Sequence, residues 1–162
     1  MDMAKTDKEF GDDLDRSREA VFVVAKWLHK QQYDLFIPKI EQRPKYAKSI
    51  DYIDDGDLHM TKNGATYKVN VKGHETLKFT DKFWPYDDVF VANTRFVDLK
   101  GDDIGYYMTV SADLEYVGVI NRLKTKHAWY VVSYYDKKAR QQEEAYACPT
   151  ELVKFFKVEE VK

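Results

Sequence analysis

The sequence predicts a single α/β domain in which a mixed central β-sheet is flanked by helices. Three observations predict it. An amphipathic helical stretch lies near the N-terminus, an Asn-Gly pair joins two alternating runs, and several short apolar runs separated by polar turns follow them. At 162 residues, one domain is the expected count, large enough to bury a core without metal or disulfide staples. Hydrophobic residues make up 44% and charged residues 33%, the balance of a globular domain, while a 15% aromatic share argues against a mainly disordered chain.

Several function classes are disfavoured at once. The longest apolar run, Ala20–Ala25, stops at Lys26, far short of the ~20 residues of a membrane helix. The polar start, Met1-Asp2-Met3-Ala4-Lys5, is not that of a secretory signal. One cysteine, Cys148, excludes an internal disulfide and a multi-cysteine zinc site, so a reducing cytoplasm is the expected compartment. With 26 basic and 28 acidic residues the net charge is −2, so any nucleic-acid contact has to come from a local patch or a metal ion.

In chain order, residues 1–11 read as a polar arm, leaving 12–162 as the domain. Leu14–Gln32 reads as a helix capped by Asp13 or Asp15, with Val21, Val24 and Leu28 on one face. Tyr33–Pro38 reads as a short strand, and Glu41–Ser49 as a basic irregular segment. The runs Asp57–Thr61 and Thr66–Lys72 alternate on either side of Asn63-Gly64, the pair that best tolerates the positive φ angles of a type I′ turn. Further strands are expected at Val89–Ala92, Tyr106–Ser111, Tyr116–Ile120 and Trp129–Tyr134. A short helix capped by Thr150 is expected to reach about Lys157.

A two-residue loop at Asn63-Gly64 fixes the hairpin register. Leu58 then faces Val69 and Met60 faces Tyr67, which gathers the apolar side chains on one face. Asp57, Asn70 and Lys72 fall together on the other, since directly opposed Cβ atoms sit ~5 Å apart. Asp57, the amide oxygen of Asn70 and the carbonyl of Val71 are oxygen donors suited to a hard divalent cation. Lys72 can orient or help deprotonate an attacking water, or stabilise a pentavalent phosphorus centre, the chemistry of metal-assisted phosphodiester hydrolysis. The same three residues also make an ordinary solvated hairpin face, which is the commoner meaning of such a pattern.

Asp57, the hairpin and Val69-Asn70-Val71-Lys72-Gly73 resemble the core signature of the PD-(D/E)xK, or restriction-endonuclease-like, nucleases. In that superfamily an Asp near the start of one strand precedes (D/E)-x-K on the next, and a preceding helix often carries a Glu aimed at the site. The resemblance implies a restriction-endonuclease-like core and a Mg²⁺- or Mn²⁺-dependent nuclease acting on DNA. Asp57 would be the principal metal ligand, Asn70 a second ligand, Lys72 the catalytic lysine and Glu19 the supporting acid. It also implies a homodimer as one arrangement. Two positions depart from the pattern. Gly56 stands where a proline is common, and Asn70 stands where Asp or Glu is expected, which removes one negative charge from the donor set. A nuclease-derived protein that only binds nucleic acid or another protein is the alternative.

Other residues have two readings each. Arg43, Lys45 and Lys48, just before the hairpin, are the favoured DNA contacts, although basic runs are usually solvated loops. Two further basic groups, Arg122/Lys124/Lys126/His127 and Lys137/Lys138/Arg140, have the same two readings. Asp54 and Asp55 suit either a second cation or an acidic turn. His59 reads as an exposed hairpin histidine, His74 as a loop histidine, Trp84-Pro85-Tyr86 as packing beneath the sheet, and Cys148 as structural.

Overall fold

The computed structural model describes residues 7–38, 57–136 and 139–158, with side chains in the first helix described from residue 18 onward. The architecture is mixed α/β with a central mixed sheet. Helix α1 (Asp7–Lys30) is followed by β1 (Asp34–Phe36), β2 (Leu58–Lys62), β3 (Ala65–Gly73), β4 (Asp88–Asn93), α2 (Thr94–Lys100), β5 (Ile104–Val110), β6 (Tyr116–Asn121), α3 (Arg122–Thr125), β7 (Tyr130–Asp136), β8 (Gln141–Pro149) and β9 (Lys154–Lys157). Six strands form one sheet in the order β1-β2-β3-β5-β6-β9, and three form a second in the order β4-β8-β7. The β3–β5 pairing is parallel and every other pairing is antiparallel. A parallel pair needs a crossover, and the segment holding β4 and α2 supplies it.

The layers follow from strand alternation. On one face of the six-stranded sheet, Leu58, Met60, Val69, Val71, Met108, Val110 and Val117 pack with Ala20, Val21, Val24 and Leu28 of α1. On the other face, Ile104, Tyr107 and Ile120 meet Val89 and Val91 of β4, Val97 of α2 and Cys148 of β8. The result is helix on sheet on sheet. Among the described residues no helix is long and apolar enough to cross a membrane.

Three expectations are corrected. Helix α1 starts at Asp7, so residues 7–11 of the expected arm are helical and Asp13 and Asp15 lie inside the helix rather than capping it. The helix stops before Gln32, whose φ of 69° is left-handed, with the Gln31 and Gln32 N–H groups donating to the Leu28 and His29 carbonyls. The expected C-terminal helix is a single 3₁₀ turn, Thr150–Leu152, followed by strand β9. An extended chain sends consecutive residues to opposite faces, so Phe155 stacks on Trp84 at 5.6 Å while Phe156 meets Trp27 at 5.3 Å across the sheet. A helix would set the two phenylalanines only about 100° apart, too little to reach opposite faces of the sheet. Finally, α2 and β8 are additional elements. Asn93 caps α2 by accepting from the Arg95 N–H at 2.9 Å.

Gly118 is what lets β9 dock. A Cβ there would lie 2.9 Å from Thr109 Cγ2 and 3.0 Å from Phe155 Cε1. Gly118→Ala is therefore expected to cost about 1–3 kcal/mol, read as a lower urea midpoint with an unchanged slope.

Candidate functional site

The hairpin has the expected register: Leu58 pairs with Val69, His59 with Lys68, Met60 with Tyr67, Thr61 with Thr66 and Lys62 with Ala65. Asn63 and Gly64 carry φ angles of 54° and 80°, so both turn residues are left-handed as a type I′ turn requires. Leu58, Met60, Val69 and Val71 are buried against α1, which sends Asp57, Asn70 and Lys72 to the opposite side.

The sequence places Asp57 opposite Asn70. In the structure the paired ladder ends at Leu58–Val69, and Asp57 reaches one step further along β3. Its backbone N–H donates to the Val69 carbonyl at 3.0 Å, and its Oδ2 accepts from the Val71 N–H at 2.7 Å. The carboxylate therefore closes the end of the ladder with a charge-assisted bond. This fixes it on the edge of β3 at the residue between Asn70 and Lys72. Within a strand, the N–H and C=O of one residue point to the same side, so the Val71 carbonyl faces the edge that Asp57 occupies.

The neighbours of this site come from elements distant in sequence. In the parallel β3–β5 register, Asn70 lies beside Tyr107 and Lys72 beside Thr109. The Lys72 ammonium sits 3.9 Å from the centroid of the Phe90 ring on β4, a cation–π contact worth about 0.5–1 kcal/mol at an exposed site. Phe90 in turn meets the Tyr134 ring edge-on at 5.3 Å. The Tyr107 hydroxyl is buried with no hydrogen-bond partner among the described residues, and burial pushes its pKa up to about 12. Phe90 and Tyr107 were not found from the sequence, because only long-range packing brings them to the hairpin.

Glu19 is exposed and lies midway along α1 rather than in an early turn. The helix approaches β3 closely there: a Cβ on Gly73 would lie 3.0 Å from the Ala20 Cβ. Glu19 thus sits one residue from the contact between α1 and the end of β3. His59 packs its ring on Phe36 at 5.4 Å. Arg43, Lys45, Lys48, Asp54 and Asp55 lie outside the described residues. Arg122, expected among basic surface groups, is buried and paired with Asp102. Trp84 packs with Phe79 and Phe155 and donates its indole N–H to the Asp88 carbonyl at 2.8 Å, and Cys148 is buried.

His74 is a loop histidine, the first residue after β3, and it is anchored there. Its N–H donates to the Val110 carbonyl at 3.0 Å, and its Nε2 lies 2.6 Å from Thr109 Oγ1. Its ring packs against Phe79 and Trp84. Burial, and secondarily the charge of Lys72, lower its pKa to about 4.

The donor set suits a hard cation in kind: one carboxylate, one carbonyl and one side-chain amide oxygen. It is short in charge, and among the described residues no group of three or more His, Cys, Asp or Glu side chains is arranged to hold a metal ion.

No protein-family model matches this chain, and no curated protein does. Among solved structures it is similar to a bacterial homing endonuclease, I-Ssp6803I, with 18% identity and a TM-score of 0.40 over 65% of this chain. The match spans 62% of that structure, less than two thirds of its length.

The neutral His74 gives a pH test. The unfolded chain takes up a proton near pH 6.5 that the folded chain refuses until about pH 4. Stability is therefore expected to fall as pH drops through this window and to level off below it. His74→Gln should flatten that part of the profile, read from urea midpoints at pH 7 and pH 4.5.

Proposed function

We propose that this chain is a nuclease-like protein that acts on DNA phosphodiesters with Mg²⁺ or Mn²⁺, the Asn70 amide leaving the metal weakly held. The observation that carries the reading is the Asp57–Val71 bond, which holds a carboxylate on the strand that presents Asn70 and Lys72. Asp57 Oδ1, the Val71 carbonyl and the Asn70 amide oxygen would hold the cation, with water filling the remaining positions. When bound, the cation polarises a phosphoryl oxygen and lowers the pKa of a coordinated water.

The chain's own residues do the rest. Lys72 brings a positive charge to the same strand, two residues from Asn70. Its ammonium offsets the negative charge that grows on the phosphoryl oxygens as a fifth bond to phosphorus forms. The Phe90 ring beneath it limits where the ammonium can sit, so less side-chain freedom is lost when substrate arrives. Glu19, on the helix that contacts the end of β3, is the supporting acid, and Arg43, Lys45 and Lys48 are the DNA contacts.

A second reading is favoured by the charge count. With one carboxylate in place of two, the same face serves a protein that binds nucleic acid without cutting it. Cleavage of single-stranded, duplex and branched DNA separates the two, with Mg²⁺ or Mn²⁺ and three proteins: the parent, Asn70→Asp, and Asn70→Asp combined with Lys72→Ala. Asn70→Asp is expected to raise metal-dependent cleavage on the order of tenfold or more, and Lys72→Ala to abolish it. No cleavage by any of the three, together with salt-dependent DNA binding without metal, would transfer the chain to the second reading.

A further inference from the structure

The two sheets have four edges, and three of them carry devices that discourage further pairing. Strand β1 is three residues long with Pro38 just beyond it. Strand β9 is four residues long and bounded by Lys154 and Lys157. Strand β4 has a register shift between Phe90 and Ala92. Short strands, lysines, prolines and bulges are the usual ways of blunting an edge. Within its seven residues strand β7 has none of these, and Lys137 and Lys138 follow it in the sequence. It runs seven residues, Tyr130-Val131-Val132-Ser133-Tyr134-Tyr135-Asp136, regularly paired to β8 on one side. No described strand pairs with its other side. Val131 and Tyr135, which share a face, are 49% and 56% exposed.

We infer that β7 pairs antiparallel with β7 of a second copy of this chain, about a two-fold axis at Ser133, joining two three-stranded sheets into one of six strands. The occupant follows from the strand's own sequence. In this register Val131 faces the partner's Tyr135 and Val132 faces the partner's Tyr134, pairing β-branched with aromatic side chains, which is among the favourable cross-strand combinations. Asp136, the one charged residue in the strand, falls opposite the partner's Tyr130, so no like charges oppose one another. Ser133, small and uncharged, meets itself on the axis. The isologous contact closes and leaves no further edge on β7 for a third copy. The inference is independent of the phosphodiester reading, because neither Asp57 nor Lys72 takes part in it.

A single strand pair buries less than a standard interface, so dissociation in the micromolar range is expected. The test is sedimentation of the full chain from micromolar to near-millimolar concentration, with Ser133→Lys and Ser133→Cys alongside. The parent is expected to dimerise. Ser133→Lys sets two lysines directly opposite each other and should weaken the dimer roughly tenfold or more, with an unchanged circular dichroism spectrum. Under mild oxidant, Ser133→Cys should form a disulfide-linked dimer, whereas Leu123→Cys, on an 89% exposed side chain of α3 outside the strand, should not. If Ser133→Lys fails to fold, the cysteine pair decides alone. A parent that stays monomeric throughout, a dimer indifferent to Ser133→Lys, or cysteine cross-linking at position 123 but not at 133 would each overturn the inference.

Discussion

Strand β3 is the element on which the rest of the molecule depends. It takes β2 antiparallel on one side and β5 parallel on the other, and the end of the strand lies against Ala20 of α1. Its odd residues, Val69 and Val71, belong to the core under the helix, while Asn70 and Lys72 point away from it. A slip of one residue would exchange these two sets and bury an amide and an ammonium. The Asn63-Gly64 turn prevents the slip, because a two-residue type I′ loop admits one register only. Stability and site geometry thus come from the same constraint. The strand cannot offer Lys72 to solvent without burying Val71.

The same strand explains the division of labour between the faces. Parallel pairing with β5 forces a long crossover, and that crossover contributes β4, whose Phe90 lies over Lys72. The aromatic layer of Phe79, Trp84 and Phe155 then packs beside His74 and shields part of its ring from water. The lowered pKa of His74 follows from that packing first and from the charge of Lys72 second. A neutral histidine beside a lysine adds no further positive charge to the site at neutral pH.

How much was legible in the sequence depended on how local the determinant was. The hairpin was legible, register included, because a turn type and a period-two pattern suffice to define it. So was the apolar face of α1. Strand β8 was missed because Gln141-Gln142-Glu143-Glu144 reads as a solvated run. It is a strand because Ala145, Ala147 and Cys148 are buried beside β4, and Glu143 is held by Asn93 and Arg95. The Thr150-Glu151 start signal is used for one turn only, since Phe155 and Phe156 have partners on opposite sides of the sheet. Of the candidate residues, Asp57, Asn70 and Lys72 were named from spacing, whereas Phe90 and Tyr107 come from other strands that no local pattern announces.

The proposed function requires Asp57 and the β3 edge to form a single cation-binding corner. It is tested most directly by titrating the ¹⁵N-labelled protein with Mn²⁺ and following paramagnetic broadening of the backbone amides. Asp57, Asn70, Val71 and Lys72 are expected to broaden first, and Asp57→Asn to remove the effect while leaving the hairpin resonances in place. Broadening centred elsewhere, or broadening at these amides that survives Asp57→Asn, would contradict it.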